Sequence, residues 1–427
     1  MLTREEFQKY EKRIDAYVKP NIFACCSPAK GVLKHPYVDP SAQYAGNLWD
    51  WDSFWVLKTM ILAYERYESD ADFDAAGVKK KILEHAKGTV YNFFDHQEKD
   101  GFIPMMIPSS GPFLNYFRDE HRKGNRHNTM KPFLAQIILM TCEFAEDYDW
   151  FDADKLLLYL DYYEKEQRDA ASGLFYWVDD VMIGIDNNPT AFFRPKRSSA
   201  DIFLNAFLAL EYDCAAKLLK KRGDARAAET EARAAAFKDL LNRVTYDEKD
   251  KIYYSHDLCF YPAEDRLVAN GFLLHENMIP SWKSMPMKVR FWGCFVPLYA
   301  GFCGKARAEA IDKAHLQDDT ILAKYGIRTC ASDEIFYNLE KTSNPSNWLG
   351  AVWICANYVV YKGLKNYGIS TYRKIAERTV RLLGENLEKT GEMYESYLPD
   401  TGEPCLYPHF FNWNLLVLEM LSDVEVQ

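Results

Sequence analysis

No window of eighteen consecutive apolar residues occurs in this chain, so nothing in it reads as a membrane-spanning helix. The charged opening from Met1 to Lys19 lacks the apolar stretch of a secretion signal, and a cytoplasmic protein is expected. Paired C-x-x-C spacing, the mark of zinc and redox sites, is also missing. The ten cysteines are dispersed, and Cys142, Cys214, Cys294 and Cys355 lie in apolar runs that read as buried reduced thiols. The adjacent Cys25 and Cys26 are the pair to watch for reactivity. Positive charge is in deficit, with 52 Lys and Arg against 62 Asp and Glu for a net −10, so nucleic acid and membrane surfaces are not expected partners. Strand signal is confined to short aromatic stretches at 174–178 and 251–255. No Ser/Gly/Pro-rich linker and no fixed-period repeat divides the 427 residues.

What is abundant is aromatic side chain, 15% of the chain with 10 Trp, 28 Tyr and 26 Phe, more than an aliphatic core requires. Rings offer flat apolar faces with polar edges, which suit the flat C–H faces and hydroxyl rims of sugars. Helical periodicity supplies the scaffold. Val78, Ile82, Leu83, Ala86, Val90, Phe93 and Phe94 recur at three- and four-residue steps, as do Phe133, Leu134, Ile137, Ile138 and Met140 before Phe144. Further helices are expected over about 200–219, 224–241, 348–364, 372–387 and 413–421. Arg222-Gly223-Asp224 and Gly368-Ile369-Ser370 each stop one helix and start the next. Helical hairpins joined alternately by short turns and long aromatic connections predict one all-α domain over 1–427. A closed toroid fits this asymmetry, with the long loops gathered on one rim to build a site.

Three segments carry carboxylates among rings. Asn47-Leu48-Trp49-Asp50-Trp51-Asp52-Ser53-Phe54-Trp55 combines indoles with acids, where a carboxylate can bind two sugar hydroxyls beside a stacking ring, or Asp50 or Asp52 can cap a helix. Gly184-Ile185-Asp186-Asn187-Asn188-Pro189 is a turn signature that also holds an acid, with Asp179 and Asp180 as competing carboxylates. Tyr394-Glu395-Ser396-Tyr397 sets a Glu between two rings, where it can be partly desolvated.

Together these segments resemble glycoside hydrolase family sixty-three, the family of processing α-glucosidases and mannosylglycerate and glucosylglycerate hydrolases, with trehalases as relatives. Trp51-Asp52-Ser53-Phe54 is similar to its Trp-Asp-Ser segment and Gly101-Phe102-Ile103-Pro104 to its Gly-x-Ile-Pro loop. Gly184 to Pro189 is similar to the segment whose Asp is the general acid, and Tyr394 to Gly402 to the loop that carries the general base. Asn347-Trp348-Leu349-Gly350-Ala351-Val352-Trp353 resembles a Trp-Arg-Gly-Pro-x-Trp helix start, with Leu349 for Arg and Ala351 for Pro, and Thr129-Met130-Lys131-Pro132 lacks the Gln-Pro-Pro of trehalases. The resemblance implies an (α/α)6 barrel and an inverting hydrolase of a small carbohydrate. It makes Asp186 the acid and Glu395 the base, with Trp49, Trp51, Asp52, Trp348, Trp353 and Tyr394 around the sugar.

Such a reaction needs one protonated and one ionised carboxyl on opposite sides of a glycosidic bond, and neither metal nor cofactor is expected. An acidic aglycone such as glycerate would require a cation, for which Lys131 is the first candidate and Arg194, Lys196 and Arg197 the others. A neutral α-glucoside requires none. Two rival readings stay open: a barrel epimerase or isomerase working through His127, His256, His275 or His409, and a non-catalytic carbohydrate-binding protein. Oligomeric state is not legible.

Overall fold

The computed structural model describes residues 1–259, 281–340 and 346–427; His275 lies outside the described residues. Its helices are α1 (Arg4–Val18), α2 (Asp50–Tyr67), α3 (Ala75–Asp95), α4 (Tyr116–Arg122), α5 (Leu134–Ala145), α6 (Ala153–Glu166), α7 (Ile202–Lys221), α8 (Ala227–Val244), α9 (Val296–Tyr299), α10 (Lys305–His315), α11 (Ile354–Asn366), α12 (Thr371–Thr390) and α13 (Val417–Leu421). Each short helix α9 and α13 continues a 3-10 turn, Trp292–Phe295 and Trp413–Leu416 respectively. Local chemistry sets the ends. Thr3 and Glu6 form a capping box on α1, Asp74, Asp152 and Asp201 cap α3, α6 and α7, and Gly391 closes α12 in the left-handed region at φ 75°.

Helices α2, α5, α7, α9, α11 and α13 pack in that order, and α13 with its 3-10 turn returns to α2, closing an inner ring. Around it, α3 packs on α2 and α5, α6 and α8 on α7, α12 on α11 and α13, and α1 on α12. Helix α10 completes this layer, its Arg307 donating to the Asn242 carbonyl of α8 at 3.1 Å. This is the (α/α)6 barrel expected. Inner helices pass to outer ones through the short spans 68–74, 146–152, 222–226, 300–304 and 367–370, whereas the return paths include 19–49, 96–133, 167–201 and 391–412. All six inner segments therefore begin on the rim that carries the long connections. Among the described residues strand is limited to short antiparallel pairs, such as Asn47–Trp49 with Met106–Pro108, and one three-stranded sheet of Ser199–Ala200, Ser255–Asp257 and Met285–Met287.

Some local expectations shift. The helix expected from Trp348 starts at Ile354, because 348–352 give their backbone N–H groups elsewhere: Trp348 to Asn187 at 2.7 Å, Gly350 to Thr329 at 3.1 Å and Val352 to the Tyr397 carbonyl at 2.8 Å. The 174–178 stretch makes isolated bridges, Arg168 with Phe175 and Trp177 with Ser199, instead of a strand. The 251–255 stretch falls into two strands, Ile252–Tyr253 and Ser255–Asp257.

Closure of the outer ring depends on one small residue. A Cβ at Gly384 of α12 would lie 2.3 Å from Cγ of Tyr10 on α1, the stiff near end of that ring. Gly384→Ala is expected to push α1 away and cost about 1–3 kcal/mol, as overpacking does. Urea denaturation checks this, and a variant as stable as the parent would show that the contact relaxes freely.

Candidate active site

The six inner segments each bring an aromatic ring to the loop-bearing rim, and these rings meet. Trp51 of α2 lies with its centroid 6.5 Å from Phe133, 6.0 Å from Phe203, 5.8 Å from Trp348 and 5.8 Å from Trp413. Trp292 joins through Trp348 at 6.0 Å, and Trp353 stacks on Trp348 at 3.9 Å and 12°. Above this plate opens a pocket with about 560 Å³ of atom-free space, open solvent at its mouth included. Trp49, Trp51, Trp348, Trp353 and Trp413 wall it together with Tyr44, Asp52, Lys131, Asp186 and Glu395.

Each carboxyl is delivered by a different element. Asp52 sits in the first turn of α2, buried, with the Asn412 amide donating to its Oδ1 at 2.7 Å. Asp50, two residues earlier, takes a bond at the helix end and one from afar: it accepts the N–H of Trp51 at 2.6 Å and of Lys131 at 2.7 Å. The terminus is thus served by Asp50, and Asp52 faces the pocket. Asp186 rides on a loop pinned on both sides by the residues that follow it. Asn187 exchanges bonds with Asn347 and Trp348 at 3.0 and 2.7 Å, and Asn188 donates to the buried Asp201 at 2.6 Å. Asp179 and Asp180 secure the same loop, to Asn128 and to the N–H of Phe193, and do not line the pocket. Glu395 lies in a stretch whose N–H is held by the Tyr407 carbonyl at 3.0 Å. The chain bends at Glu395, which lines the pocket, while Tyr394 packs edge-on against Tyr397 and does not line it.

Burial dominates the electrostatics. It pushes Glu395 up to about 8, helped by the charges of Asp52 and Asp186 and opposed by the Tyr44 hydroxyl, which donates at 3.4 Å. It pushes Asp52 up to about 7 against the pull of Lys131 and the Asn412 bond, with Asp50 adding to the rise. Asp186 is raised as well, against a hydrogen bond from Ser346 and the charge of Lys131. Because Glu395 feels the charges of both Asp52 and Asp186, its titration is coupled to theirs and belongs to the set. Among the described residues two groups in the pocket wall are buried without a protein partner, Oε2 of Glu395 and Nε1 of Trp49: one acceptor and one donor.

The other sequence candidates separate cleanly. Lys131 reaches the pocket wall, but its ammonium is bound by Asp50 at 2.7 Å and by the Met182 carbonyl at 2.8 Å. Arg194 pairs with Asp257, and Lys196 and Arg197 are exposed away from the pocket. His127 binds Asp179, His256 binds Ser284 and His409 binds Glu392, none of them lining the pocket. Burial pushes Cys26 up to about 12 and Cys25 well above the usual thiol range, so the adjacent pair is not thiolate-like. Residues that sequence reasoning passed over are Tyr44, Asn412 and Trp413. The last two stand at the start of an expected helix, and Tyr44 carries no periodic or motif signal at all.

Removing the Asp52 charge relieves Glu395. Asp52→Asn is expected to move the limb of the kcat/KM profile that reports ionisation of the base toward lower pH, and to lower kcat/KM roughly 10- to 100-fold through lost charge-assisted hydrogen bonds to substrate. A variant that loses stability with its kinetics and pH profile intact would return Asp52 to the role of a helix residue.

Comparison with known proteins bears on this geometry. The family described as the mannosylglycerate hydrolase MGH1-like glycoside hydrolase domain matches residues 63–413. Mannosylglycerate hydrolase MGH2 of Selaginella moellendorffii is 34% identical over 110 residues, 25% of this chain and 20% of that protein. Alpha-glucosidase 2 of Arabidopsis thaliana is 21% identical over 393 residues, 78% of this chain and 48% of that protein. The chain thus aligns with less than half the length of these two relatives. The crystal structure of a GH63 mannosylglycerate hydrolase from Thermus thermophilus in complex with glucose has the same fold, with a TM-score of 0.66 at 17% identity over 96% of this chain and 99% of that one.

Proposed function

The chain belongs to the family of mannosylglycerate hydrolase MGH1-like glycoside hydrolase domains, and from that premise we propose that it is an inverting hydrolase of a small α-glucoside or α-mannoside, with Asp186 as general acid and Glu395 as general base. The observation that carries the reading is the meeting of Asp186 and Glu395, from separate loops, in one aromatic-walled pocket where the charge of Asp186 reaches Glu395. Asp186 gives its proton to the glycosidic oxygen as the C–O bond breaks. Water adds to the anomeric carbon from the other face and passes its proton to Glu395, and the products are the free sugar of inverted configuration and the aglycone alcohol. Asp52 and the Trp49 N–H supply an acceptor and a donor for the sugar hydroxyls, and Trp51 and Trp353 fix the ring between them.

We take residues 1–427 as one catalytic unit, supported by a core cluster that runs from Leu2 to Leu421. A cytoplasmic location is supported by the buried thiols of Cys142, Cys214, Cys294 and Cys355. No described helix is long and apolar enough to cross a membrane. The contacts of Lys131 favour a neutral aglycone: its charge is already met by Asp50, and among the described residues of the pocket wall there is no other Lys or Arg. Hydrolysis of a panel of α-glucosides and α-mannosides, glycerate conjugates included, followed by proton NMR, tests the reading. The β-sugar is expected to appear first and to equilibrate afterwards. First appearance of the α-anomer would establish retention and remove the inverting mechanism.

A further inference from the structure

Hydrolysis by two carboxyls does not call for a buried ammonium, yet Lys131 is 1% exposed and sits against the acid-bearing loop. Its surroundings are built in detail. The backbone carbonyls of Met130 and Lys131 are held by the hydroxyls of Tyr159 and Tyr163 on α6, at 2.6 to 3.1 Å. Its N–H and its Nζ reach the two oxygens of Asp50, each at 2.7 Å. Nζ also donates to the Met182 carbonyl at 2.8 Å, four residues before Asp186. The chain there bends sharply over the lysine: Met182 has φ 55° and Gly184 φ 92°, both in the left-handed region. A Cβ at Gly184 would lie 3.3 Å from the Trp51 ring and 3.6 Å from Cδ of Lys131, so loop, indole and lysine stem are in close contact. A non-glycine residue held at positive φ is a strained conformation that the surroundings must hold in place, and the Met182 carbonyl is held by this one ammonium.

Resting on the reading of Asp186 as the general acid, we infer that the Asp50–Lys131 pair is a positioning device of the reaction, clamping the acid-bearing loop to the first turn of α2 and holding a fixed positive charge beside the Asp186 carboxyl. The groups that face Asp186 are Lys131 on one side, the Ser346 hydroxyl, and Glu395 and Tyr44 across the pocket. Lys131 is the cation among them, and it weakens the hold of Asp186 on its proton, which helps an acid that must release that proton as the bond breaks. Asp52 feels both partners, with Lys131 lowering and Asp50 raising its proton affinity. At Asp52 the two members of the pair oppose each other, whereas at Asp186 the pull of Lys131 is the one felt.

The clamp and the charge come apart in two double variants that leave no buried charge unpaired. Asp50→Asn/Lys131→Met removes both, whereas Asp50→Asn/Lys131→Gln keeps an amide to donate to the Met182 carbonyl and removes only the charge. The readouts are kcat and KM against pH on a glycoside the parent cleaves, and the titration midpoint of Asp186 in the free protein by carbon-13 NMR. We expect kcat to fall roughly tenfold or more in the Met variant, as misplacement of a reacting group does, and less in the Gln variant, with KM nearly unchanged in both. The Asp186 midpoint should move upward in both, with Asp52 shifting far less. Parental kcat in the Met variant would overturn the clamp. An unmoved midpoint would overturn the charge, and a loss of KM confined to acidic substrates would make Lys131 an aglycone receptor instead. Should the parent cleave no glycoside, the functional reading fails by itself, and the NMR midpoint still reports on the lysine. A Met variant that does not fold leaves the Gln variant to decide the charge, and limited proteolysis of its 179–190 loop to decide the clamp, which predicts parental resistance.

Discussion

Asp186→Asn and Glu395→Gln are each expected to lower turnover by at least about 10²- to 10⁴-fold, the contribution of a positioned acid or base, while the fold stays intact. Among the described residues neither carboxyl holds a backbone element together: Glu395 accepts the Tyr44 hydroxyl and Asp186 accepts from Ser346, and both are penalised by burial. A neutral amide of the same shape removes that penalty, so the melting temperature of each variant should equal or exceed that of the parent. The two losses differ in how they are repaired. An aryl glycoside whose phenol leaves without a proton should recover much of the rate in Asp186→Asn, because the acid has become unnecessary. Azide should recover Glu395→Ala alone, since an anion needs no base to activate it and the cavity left by the side chain admits it. The glycosyl azide formed from an α-glycoside would be the β-anomer. Near-parental activity in either amide variant, or azide rescue of Asp186→Asn, would count decisively against these roles.

Breaking the Asp50–Lys131 pair on one side has the second large effect, this time on stability. Lys131→Met leaves the Asp50 carboxylate, 0% exposed, with two backbone N–H groups and no cation. Removing one member of a buried ion pair costs about 3–5 kcal/mol, most of it from the stranded charge. Replacing both by Asn and Met should cost much less, so the double-mutant cycle carries a large coupling energy. The pH dependence follows in sign. Burial already raises the folded-state proton affinity of Asp50, and loss of Lys131 raises it further. Where the folded state binds more protons than the unfolded one, stability falls as pH rises. The deficit of Lys131→Met should therefore be small near pH 4, grow as pH climbs from the raised folded value of Asp50 in the parent toward the higher one in the variant, and level off above that. Urea titrations at several pH values measure this, and a deficit that is flat or shrinks with pH would show that Asp50 is not the stranded group.

Long amphipathic helices were legible because their apolar spacing is set by the element itself: 78–94, 133–144 and 200–219 lie within or beside α3, α5 and α7. The segment from Trp348 misled for the converse reason. Its composition suits a helix, but its N–H groups are claimed by Asn187, Thr329 and Tyr397, partners far away in sequence. Asp186 and Glu395 stood out because acids among rings are unusual chemistry, and both reach the pocket. Tyr394 shared the segment of Glu395 and not its direction, since the chain bends at Glu395 and Tyr394 packs on Tyr397. Tyr44 and Asn412 could not be found, because a lone Tyr or Asn gains its meaning only from what the fold sets beside it, Glu395 in one case and Asp52 in the other.

Five of the ten tryptophans stand around one pocket, two of them stacked at 3.9 Å. Indoles that close share their electronic transitions, so the molecule carries a built-in optical reporter. Its near-ultraviolet circular dichroism should contain a paired band of opposite signs from Trp348 and Trp353, and much of its intrinsic emission should arise where ligand arrives. A sugar settling on these rings changes their polarity and spacing at once. Occupancy is then readable as a change in light from the unlabelled protein, even for compounds it binds and does not cleave.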